Sequence, residues 1–421
     1  MASSDRDRLV SLFEAAVKAA DPRAAIAAHL PERPRGKTIV VGAGKAASQM
    51  AAAFEDLWEG PAEGVVVDRH GPVARTQAIK VMQAAHPVPD RAGVAASAAL
   101  FDAVKGLTED DLVVALISGG GSSLLPCPAG DLSFEDEVVV NRALLTSGAP
   151  IAAMNVVRKH VSGIKGGRLA AAAHPARVVS LIVSDVAGDD PAMVASGPTV
   201  PSTGSAADAL AIVRDYGMVL PDAVIAHLTA GAETPDPADQ IFARNSVHVI
   251  ASAGVSLEAA AQAARAHGID AAILSDAIEG EAREVGKVHA AIAREIARCN
   301  RPFTKPVIIL SGGETTVTIG NGPAGKGGRN SEFLLSLACA LEGVSGITAL
   351  AADTDGIDGS EDNAGAFADG QSLGRMRQAG VDPKSLLARH DAWSAFDACG
   401  DLFVPGPTGT NINDFRAILI R

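Results

Sequence analysis

Hydrophobic positions along the chain fall in short unbroken runs instead of alternating with polar ones. Eight such runs, rich in Val, Ile, Leu and Ala, lie at residues 38–42, 64–68, 112–118, 178–184, 247–251, 271–275, 306–311 and 347–352. A run without polar alternation is typical of a strand that is buried on both faces, as in a parallel sheet covered by helices. The runs therefore predict mostly parallel strands in a layered α/β fold.

Stretches with helical spacing of apolar residues lie between and before these strands. The predicted helices are an N-terminal surface helix that ends before Pro22 and residues 45–57, 133–147, 256–267 and 331–341. Ser133, followed three residues later by Asp136, has the spacing of a capping box. Strands that alternate with helices predict an α/β architecture with right-handed crossovers.

Two segments of the C-terminal half depart from this pattern. Residues 314–322 alternate directly after a strand and end in Asn321-Gly322, which predicts a hairpin and hence a mixed C-terminal sheet. The Pro- and Asp-rich residues 231–240 are the best linker candidate. We therefore expect an N-terminal domain at 1–240 and a C-terminal domain at 241–421, with 241–300 fitting either one.

Composition narrows the class of protein. The chain has 421 residues, 48% hydrophobic and 20% charged, with a net charge of −13, so it is a globular protein and a poor candidate for nucleic-acid binding. No apolar stretch reaches the roughly 18 residues of a transmembrane helix, and no signal-peptide core is present. Four cysteines without CxxC spacing fit a reducing compartment. We expect a cytoplasmic protein without a membrane partner.

The first strand ends in a glycine loop with two interpretations. Residues 42–47 match G-x-G-x-x-A, with Gly42 and Gly44 in the turn and Asp68 at the end of the next strand, as in a dinucleotide site. A tight strand-to-helix turn is the plain structural alternative. Lys45 argues against a dinucleotide, because a lysine at a helix N-terminus favours a phosphate or a carboxylate. The loop lacks the Walker pattern.

Further loops carry chemistry for binding anions and cations. Ser118-Gly119-Gly120-Gly121-Ser122-Ser123 predicts a nest of backbone N–H groups for phosphate, the alternative being a flexible surface loop. Basic residues gather at Arg158, Lys159, His160, Lys165 and Arg168, and again at Lys326 and Arg329. A solvated helix face is the alternative for the first group, whereas guanidinium groups suit phosphate and carboxylate.

Two acidic loops complete the set. Asp185, Asp189 and Asp190 follow one buried strand, and Asp353, Asp355 and Asp358 follow another. Such clusters suit Mg²⁺, although Asx-turns account for either loop equally well. Glycine nests, cationic clamps and magnesium-binding carboxylates together are the parts of a phosphoryl-transfer enzyme.

Long motifs in collinear order give the chain a family resemblance. They are HPVPD (86–90), SGGGSSLL (118–125), MNVVRKHVSGIKGGRLA (154–170), SDVAGDDPAMVASGPT (184–199), SGGETTVTI…GKGGRNSEF (311–333), DTDGIDGSEDNAGA (353–366) and GPTGTNINDF (406–415). From about residue 9 to 418 the chain resembles the class II glycerate kinases, whose C-terminal part is the MOFRL domain. The resemblance implies two Rossmann-like, three-layer α/β/α domains with the active site in the cleft between them.

The resemblance also implies an activity and two catalytic candidates. It implies ATP-dependent phosphorylation of D-glycerate at the 2-hydroxyl, which gives 2-phosphoglycerate and ADP, with a divalent metal as cofactor. Lys45 and Arg329 match the family's catalytic candidates. The residues alone do not decide which hydroxyl is attacked.

Our hypothesis assigns roles in this reaction to the remaining candidate residues. Asp189 is the candidate base, and Asp189 and Asp190 are the candidate Mg²⁺ ligands. Glycerate binding is assigned to Lys45, Arg158, Arg329 and Asn411. Nucleotide and phosphate binding is assigned to Gly42, Gly44, Ser118, Gly119, Gly120, Gly121, Ser122, Ser123, Lys165, Arg168, Gly312, Gly313 and Glu314.

Two other functions remain as alternatives. A hydroxypyruvate reductase dependent on NAD(P)H would act on a similar three-carbon acid and would use the G-x-G-x-x-A loop. A sugar-acid-binding regulator would need a DNA-binding segment, and no helix-turn-helix or basic arm is visible. We expect a monomer or homodimer whose partners are small molecules.

Overall fold

The computed structural model describes residues 4–186, 188–231, 233–319 and 325–421. They fall into two compact units. The first unit is drawn from Pro22–Ile250, and the second unit is drawn from Met1–Asp21 together with Ala251–Arg421. In the described part of the chain, no helix has both the length and the apolar character needed to cross a membrane.

The first unit contains a six-stranded sheet. Its strands are β1 (Thr38–Ala43), β2 (Glu63–Arg69), β3 (Ile79–Ala84), β4 (Leu112–Ser118), β5 (Arg177–Val183) and β6 (Ser246–Ala251). Their order is β3-β2-β1-β4-β5-β6, and the pairs from β3 through β5 are parallel. Every residue of β1 and of β4 is buried, as expected of strands covered on both faces.

The second unit contains a mixed sheet and a small two-stranded one. Its strands are β7 (Asp270–Ser275), β8 (Gly280–Glu281), β9 (Val307–Gly313), β10 (Thr315–Thr316), β11 (Ile347–Asp353), β12 (Gly365–Asp369), β13 (Leu402–Phe403) and β14 (Asp414–Ile420). The order of the larger sheet is β13-β12-β11-β14-β9-β7. Only its β7–β9 pair is parallel among the described pairs.

Helices connect these strands. They are α1 (Asp5–Ala19), α2 (Pro22–Ala27), α3 (Ala47–Leu57), α4 (Arg91–Val104), α5 (Gly121–Leu124), α6 (Phe134–Thr146), α7 (Ile151–His160), α8 (Arg168–Ala173), α9 (Ala206–Asp215), α10 (Asp222–Thr229), α11 (Ala253–Ala266), α12 (Ala282–Cys299), α13 (Arg329–Ala340), α14 (Ser372–Gln378), α15 (Pro383–Ala388) and α16 (Ala392–Cys399). Short 3₁₀ helices lie at Val194–Ser196 and Gln240–Phe242.

The predicted α/β class, a strand at each of the eight apolar runs and the mixed C-terminal sheet are confirmed. Burial on both faces is wrong for β6 and β7, which lie at sheet edges and are partly exposed. The capping box at the start of α6 is also present, since Ser133 Oγ accepts the Asp136 N–H at 3.1 Å and the Asp136 carboxylate accepts the Ser133 N–H at 2.9 Å. The predicted hairpin is wrong in its described part. Thr315 and Thr316 form β10, which pairs in parallel with β8 instead of folding back on β9. The predicted turn at Asn321-Gly322 lies outside the described residues.

The compact units differ from the predicted division at residue 240. Strand β6 lies at the edge of the first sheet beside β5, so the first unit extends to Ile250. The N-terminal helix α1 belongs to the second unit, because its apolar face packs against α11 and the C-terminal sheet. Ser256 Oγ of α11 also donates to the Ala16 carbonyl at 2.9 Å.

Aromatic packing joins α1 to the second unit. The Phe13 ring meets the Phe403 ring edge to face at a centroid distance of 5.1 Å, and the Phe415 ring at 5.8 Å. Phe13 is 2% exposed. Buried aromatic contacts of this kind contribute several kcal/mol to stability.

Replacing Phe13 tests where α1 belongs. Phe13→Ala is expected to lower the free energy of unfolding of the second unit by roughly 3–5 kcal/mol, and the matched control Phe13→Leu by less than about 1.5 kcal/mol. The chain has two tryptophans, Trp58 in the first unit and Trp393 in the second. Urea unfolding followed by Trp393 fluorescence in a Trp58→Phe background measures this change. An unmoved Trp393 transition in Phe13→Ala would contradict the assignment of α1.

Candidate functional site

The strand order of the first unit creates a ligand-binding position between β1 and β4. After β1 the chain continues to β2 on one side, and after β4 it continues to β5 on the other. The two strands are paired up to Ala43 and Ile117, so the loops that follow them leave the sheet side by side. In doubly wound sheets ligands bind at such a switch point, beyond the carboxyl ends of the strands.

Hydrogen bonds hold these two loops together. The Lys45 N–H donates to the Gly119 carbonyl at 2.9 Å, and the Ala46 N–H donates to Ser118 Oγ at 3.1 Å. Gly44 has φ +140°, and a Cβ there would lie 2.1 Å from Ser118 Oγ. Only glycine fits this approach, and the turn leaves Lys45 exposed between the buried Gly44 and helix α3.

Asp68, the acid expected of a dinucleotide site, has a structural role. Its carboxylate accepts the Ser48 N–H at 3.1 Å and the Arg69 N–H at 2.7 Å, and the residue is 3% exposed. Asp68 therefore satisfies backbone donors at the start of α3 and at the end of β2. It is not positioned to accept the hydroxyl groups of a ribose, so this loop lacks a central feature of a dinucleotide site.

The glycine loop after β4 lies between Lys45 and an acidic residue. The side chain of Lys45 passes Gly120, whose Cβ would lie 3.0 Å from Lys45 Cε. Asp185, in the loop after β5, packs against Gly119, where a Cβ would lie 1.7 Å from Asp185 Oδ2. Gly120 is the left-handed N-cap of α5, which leads to Ser122 and Ser123. The predicted residues Gly42, Gly44, Lys45 and Ser118 to Ser123 are thus brought together.

His86 is a site residue that the sequence reasoning missed. Its Cδ2 lies 3.2 Å from the position of a Cβ on Gly120. Burial and the positive charges of Lys45 and Arg69 lower the pKa of His86, so its imidazole is neutral at pH 7. The motif HPVPD, which begins with His86, could have pointed to this residue. The sequence analysis used that motif only as evidence of the family resemblance.

Arg158 presents a guanidinium group to a depression near this loop. The depression is lined by Pro89, Ser122, Glu137, Val140, Asn141, Arg158, Val161 and Lys165. Arg158 donates to Asn155 Oδ1 and Asn141 Oδ1, both at 3.4 Å, and none of the ion pairs between described residues includes it. Desolvation lowers its pKa, and no carboxylate among the described residues opposes the shift. A half-buried cation without an ion-pair partner favours an anionic ligand.

Lys165 and Arg168, both assigned to phosphate binding, have structural contacts instead. The Lys165 ammonium is buried and donates to Glu137 Oε1 at 3.0 Å and to the Leu125 carbonyl at 2.8 Å. The Arg168 guanidinium donates to the carbonyls of Lys159, Lys165 and Glu233 at 2.9 to 3.1 Å. These contacts occupy both cations, and we correct their assignment to structural roles.

The acidic loop after β5 brings the carboxylate of Asp185 against the glycine loop, and its described residues form no closed metal cage. Asp190 Oδ1 accepts the Ala192 N–H at 2.9 Å, and Asp189 has φ +54°. Nowhere in residues 4–186, 188–231, 233–319 and 325–421 do three or more His, Cys, Asp or Glu side chains form a group that could hold a metal. An ion here would complete its coordination with oxygen atoms from water or from a bound ligand.

Asp414 is the centre of a buried polar network in the second unit. Its carboxylate accepts from Arg329 Nε at 2.5 Å, Asn330 Nδ2 at 2.9 Å, and the N–H and Oγ1 of Thr315 at 3.1 Å. Arg416, which is 0% exposed, also donates to it through Nη2. Asp414 pairs with Gly313 of β9 and with Asp353 of β11, so sheet register gathers the network at one edge.

Arg329, predicted to contact substrate, is bonded to three carboxylates. Besides Asp414, it donates through Nη2 to Asp353 at 2.7 Å and through Nη1 to Glu314 at 3.2 Å. These charges raise its pKa, whereas burial and the carboxylates of Asp355 and Asp414 act to raise the pKa of Asp353 and the charge of Arg329 acts to lower it. Glu314 is 58% exposed, which makes it the most replaceable partner.

The remaining predicted residues of the second unit lie around this network. Gly312 accepts at its carbonyl from Arg416 Nη1 at 3.2 Å, and a Cβ on Gly313 would meet the backbone of Ile278 at 2.3 Å. Asn411 is exposed and its Oδ1 accepts the Asn413 N–H at 3.0 Å. Asp414 and Arg416 were missed, although Asp414 lies within the motif at residues 406–415.

Two family descriptions match the chain. A domain of unknown function, DUF4147, matches residues 8–229, and the MOFRL family matches residues 307–414.

Curated relatives and a solved structure extend over nearly the whole chain. A "Putative hydroxypyruvate reductase" of Agrobacterium vitis is 53% identical over 99% of this chain and 95% of its own. The D-glycerate 2-kinase of Thermotoga maritima is 38% identical over 98% of this chain and 97% of its own. A crystal structure of glycerate kinase from Thermotoga maritima matches 99% of both chains with a TM-score of 0.88 and 34% identity. The chain therefore belongs to the class II glycerate kinase family, whose members carry the MOFRL domain.

Proposed function

We propose that this protein transfers the γ-phosphoryl group of ATP to the 2-hydroxyl of D-glycerate, giving 2-phosphoglycerate and ADP. The observation that carries the proposal is a half-buried Arg158, without an ion-pair partner among the described residues, beside the glycine loop that Lys45 overlies. Full-length similarity to a D-glycerate 2-kinase supports the same reaction. Phosphoryl transfer depends mainly on positioning and charge neutralisation, and these residues supply both.

Arg158 holds the carboxylate of glycerate. Its guanidinium already donates to Asn141 and Asn155 at 3.4 Å, so the group is oriented before a ligand arrives. A carboxylate bound there supplies the counter-charge that this half-buried cation lacks. Arg329 is bonded through Nε to Asp414 and through Nη2 to Asp353, and its Nη1 bond to the exposed Glu314 is the one that a ligand anion most readily replaces.

The loop Ser118 to Ser123 binds ATP phosphates through its backbone, and Lys45 neutralises charge on the moving phosphoryl group. Glycines at 119, 120 and 121 let phosphate oxygens approach the main chain. Lys45 is exposed and lies over Gly120, at the edge of this loop. Gly312, Gly313 and Asn411 remain our candidates for further ligand contacts in the second unit.

Asp189 and Asp190 fit Mg²⁺ as partial ligands. Mg²⁺ keeps several waters and binds proteins through one or two carboxylates together with phosphates, which suits a loop without a closed cage. The ion, when bound, neutralises phosphate charge. Asp189 is also our candidate to accept the 2-hydroxyl proton, a small demand because the transition state is loose.

The alternative is reduction of hydroxypyruvate by NAD(P)H, which the name of the Agrobacterium vitis relative suggests. The burial of Asp68 in backbone hydrogen bonds disfavours it, because the ribose-binding acid of a dinucleotide site must be accessible.

Two spectrophotometric assays test the proposal together with Lys45. The wild-type chain is expected to release ADP only when ATP, D-glycerate and Mg²⁺ are all present, and to leave NADH unchanged with hydroxypyruvate. Lys45→Ala should lower kcat by about 10²- to 10³-fold, the usual loss when one transition-state charge contact is removed. The control Lys80→Ala removes an exposed lysine of the same unit and should keep the wild-type rate. Oxidation of NADH without ADP, or near-normal kcat in Lys45→Ala, would overturn the proposal.

A second variant tests the carboxylate contact. Arg158→Ala should raise KM for D-glycerate roughly 10- to 150-fold, which corresponds to the loss of about 1.5–3 kcal/mol from a charged hydrogen bond. KM for ATP should change little. The control Arg142→Ala removes an exposed arginine next to Asn141 and should behave as wild type. If KM rises for ATP instead of glycerate, Arg158 belongs to the nucleotide site.

A further inference from the structure

A chain of hydrogen bonds fixes the direction of the Ser122 hydroxyl proton. Ser122 Oγ lies 2.7 Å from Ser196 Oγ, which lies 2.8 Å from Asn155 Oδ1. Ser196 and Asn155 are buried, whereas Ser122 lines the depression that contains Arg158. Ser122 is therefore the end of this chain that meets a ligand.

The chemistry of its neighbours determines the orientation of the Asn155 amide. The Met193 carbonyl only accepts hydrogen bonds, so the amide atom 3.2 Å away is Nδ2. The Arg158 guanidinium only donates, so the amide atom 3.4 Å from Nη1 is Oδ1. Both neighbours require the same orientation. Oδ1 therefore accepts the proton of Ser196.

The hydrogen bond between Ser122 and Ser196 has only one possible donor. A serine hydroxyl carries one proton and two lone pairs. Because Ser196 donates its proton to Asn155, Ser122 must donate its own proton to Ser196 Oγ. The Ser122 oxygen therefore faces the depression with lone pairs only, as a hydrogen-bond acceptor.

The backbone around Ser196 holds this arrangement under strain. Ala195 has φ +53° and Ser196 has φ +60°, which are left-handed conformations unusual for residues with a side chain. A Cβ on Gly121 would lie 2.6 Å from the Ala195 Cβ, so the strained segment packs directly against the loop of Ser122. This packing maintains the Ser122–Ser196 contact.

We infer that Ser122 selects a 2-hydroxy acid over the corresponding 2-oxo acid. In the complex without ATP, Ser122 accepts a hydrogen bond from the hydroxyl next to the carboxylate that Arg158 holds, whereas a C2 carbonyl would place one acceptor against another. During phosphoryl transfer the proton of that hydroxyl passes to Asp189. Ser196 is a positioning residue that acts through Ser122. The inference rests on the proposed binding of the substrate carboxylate at Arg158, and it adds the group that recognises C2.

Binding of D-lactate and pyruvate to the full chain without ATP tests the inference. Both ligands have three carbons and a carboxylate, and they differ at C2 in being a hydroxyl donor or a carbonyl acceptor. NMR titration should give a lower Kd for D-lactate than for pyruvate by at least about fivefold, the effect of one hydrogen bond made or lost. Ser122→Ala should bring the ratio of Kd for pyruvate to Kd for D-lactate close to one, since the alanine side chain neither donates nor accepts a hydrogen bond.

Ser196→Gly separates positioning from mere packing. Glycine adopts φ +60° without strain, so this variant should fold. It removes the acceptor for the Ser122 proton, which then becomes free to donate to a carbonyl. Pyruvate binding should strengthen, and the ratio of Kd for pyruvate to Kd for D-lactate should fall to one or below.

A matched control removes a comparable hydroxyl pair elsewhere in the first unit. Ser180 and Thr199 are buried with their hydroxyl oxygens 2.7 Å apart, and neither lines the depression. Ser180→Ala should keep the wild-type ratio. The inference is overturned if wild type binds pyruvate as tightly as D-lactate, if it binds neither, or if Ser196→Gly keeps the wild-type ratio. Failure of the kinase proposal is distinguishable, because it would appear as no ADP while the binding ratio stands.

Discussion

The parallel pairing of β1 with β4 is the constraint on which the candidate site depends. It places the ends of both strands next to each other while the chain leaves them in opposite directions. The Lys45 N–H to Gly119 carbonyl bond and the absence of a side chain at Gly44 follow from this closeness. A lysine, a glycine nest and a carboxylate from the loop after β5 thereby occupy one region of the first unit.

The second unit uses sheet register in a different way. There β14 lies between β9 and β11, antiparallel to both, so Asp414 starts its strand where Gly313 and Asp353 end theirs. Buried carboxylates and guanidinium groups at this edge neutralise one another, and removing one partner would leave a buried charge unpaired. For this reason Arg329 has many protein contacts, and only its bond to the exposed Glu314 is easily exchanged.

Most strands were predictable because a short unbroken aliphatic run between turn residues is typical of a buried strand. The runs of β6 and β7 also form strands, but these lie partly exposed at sheet edges. β3 and β14 were not found, since Lys80 and Gln83 interrupt the first and Arg416 lies inside the second. The hairpin failed because β10 has its backbone and side-chain partners on Asp414 and β8, far away in sequence.

The roles of neighbouring basic residues in the candidate site could not be predicted from the sequence either. Arg158, Lys165 and Arg168 lie within eleven residues, and sequence gives no means to separate them. Their roles depend on which partner tertiary packing supplies: Glu137 for Lys165, backbone carbonyls for Arg168, and only neutral amides for Arg158. The glycine loops were easier to predict from the sequence, because a close approach to the backbone requires glycine whichever group makes that approach.

Phosphorus NMR of the product made from ATP and D-glycerate tests the central claim most directly. Transfer to the 2-hydroxyl gives an ester whose phosphorus couples to the single proton on C2, so a doublet is predicted. A triplet from the two protons on C3 would place the phosphate on the other hydroxyl. The absence of any new phosphate ester would contradict the kinase assignment itself.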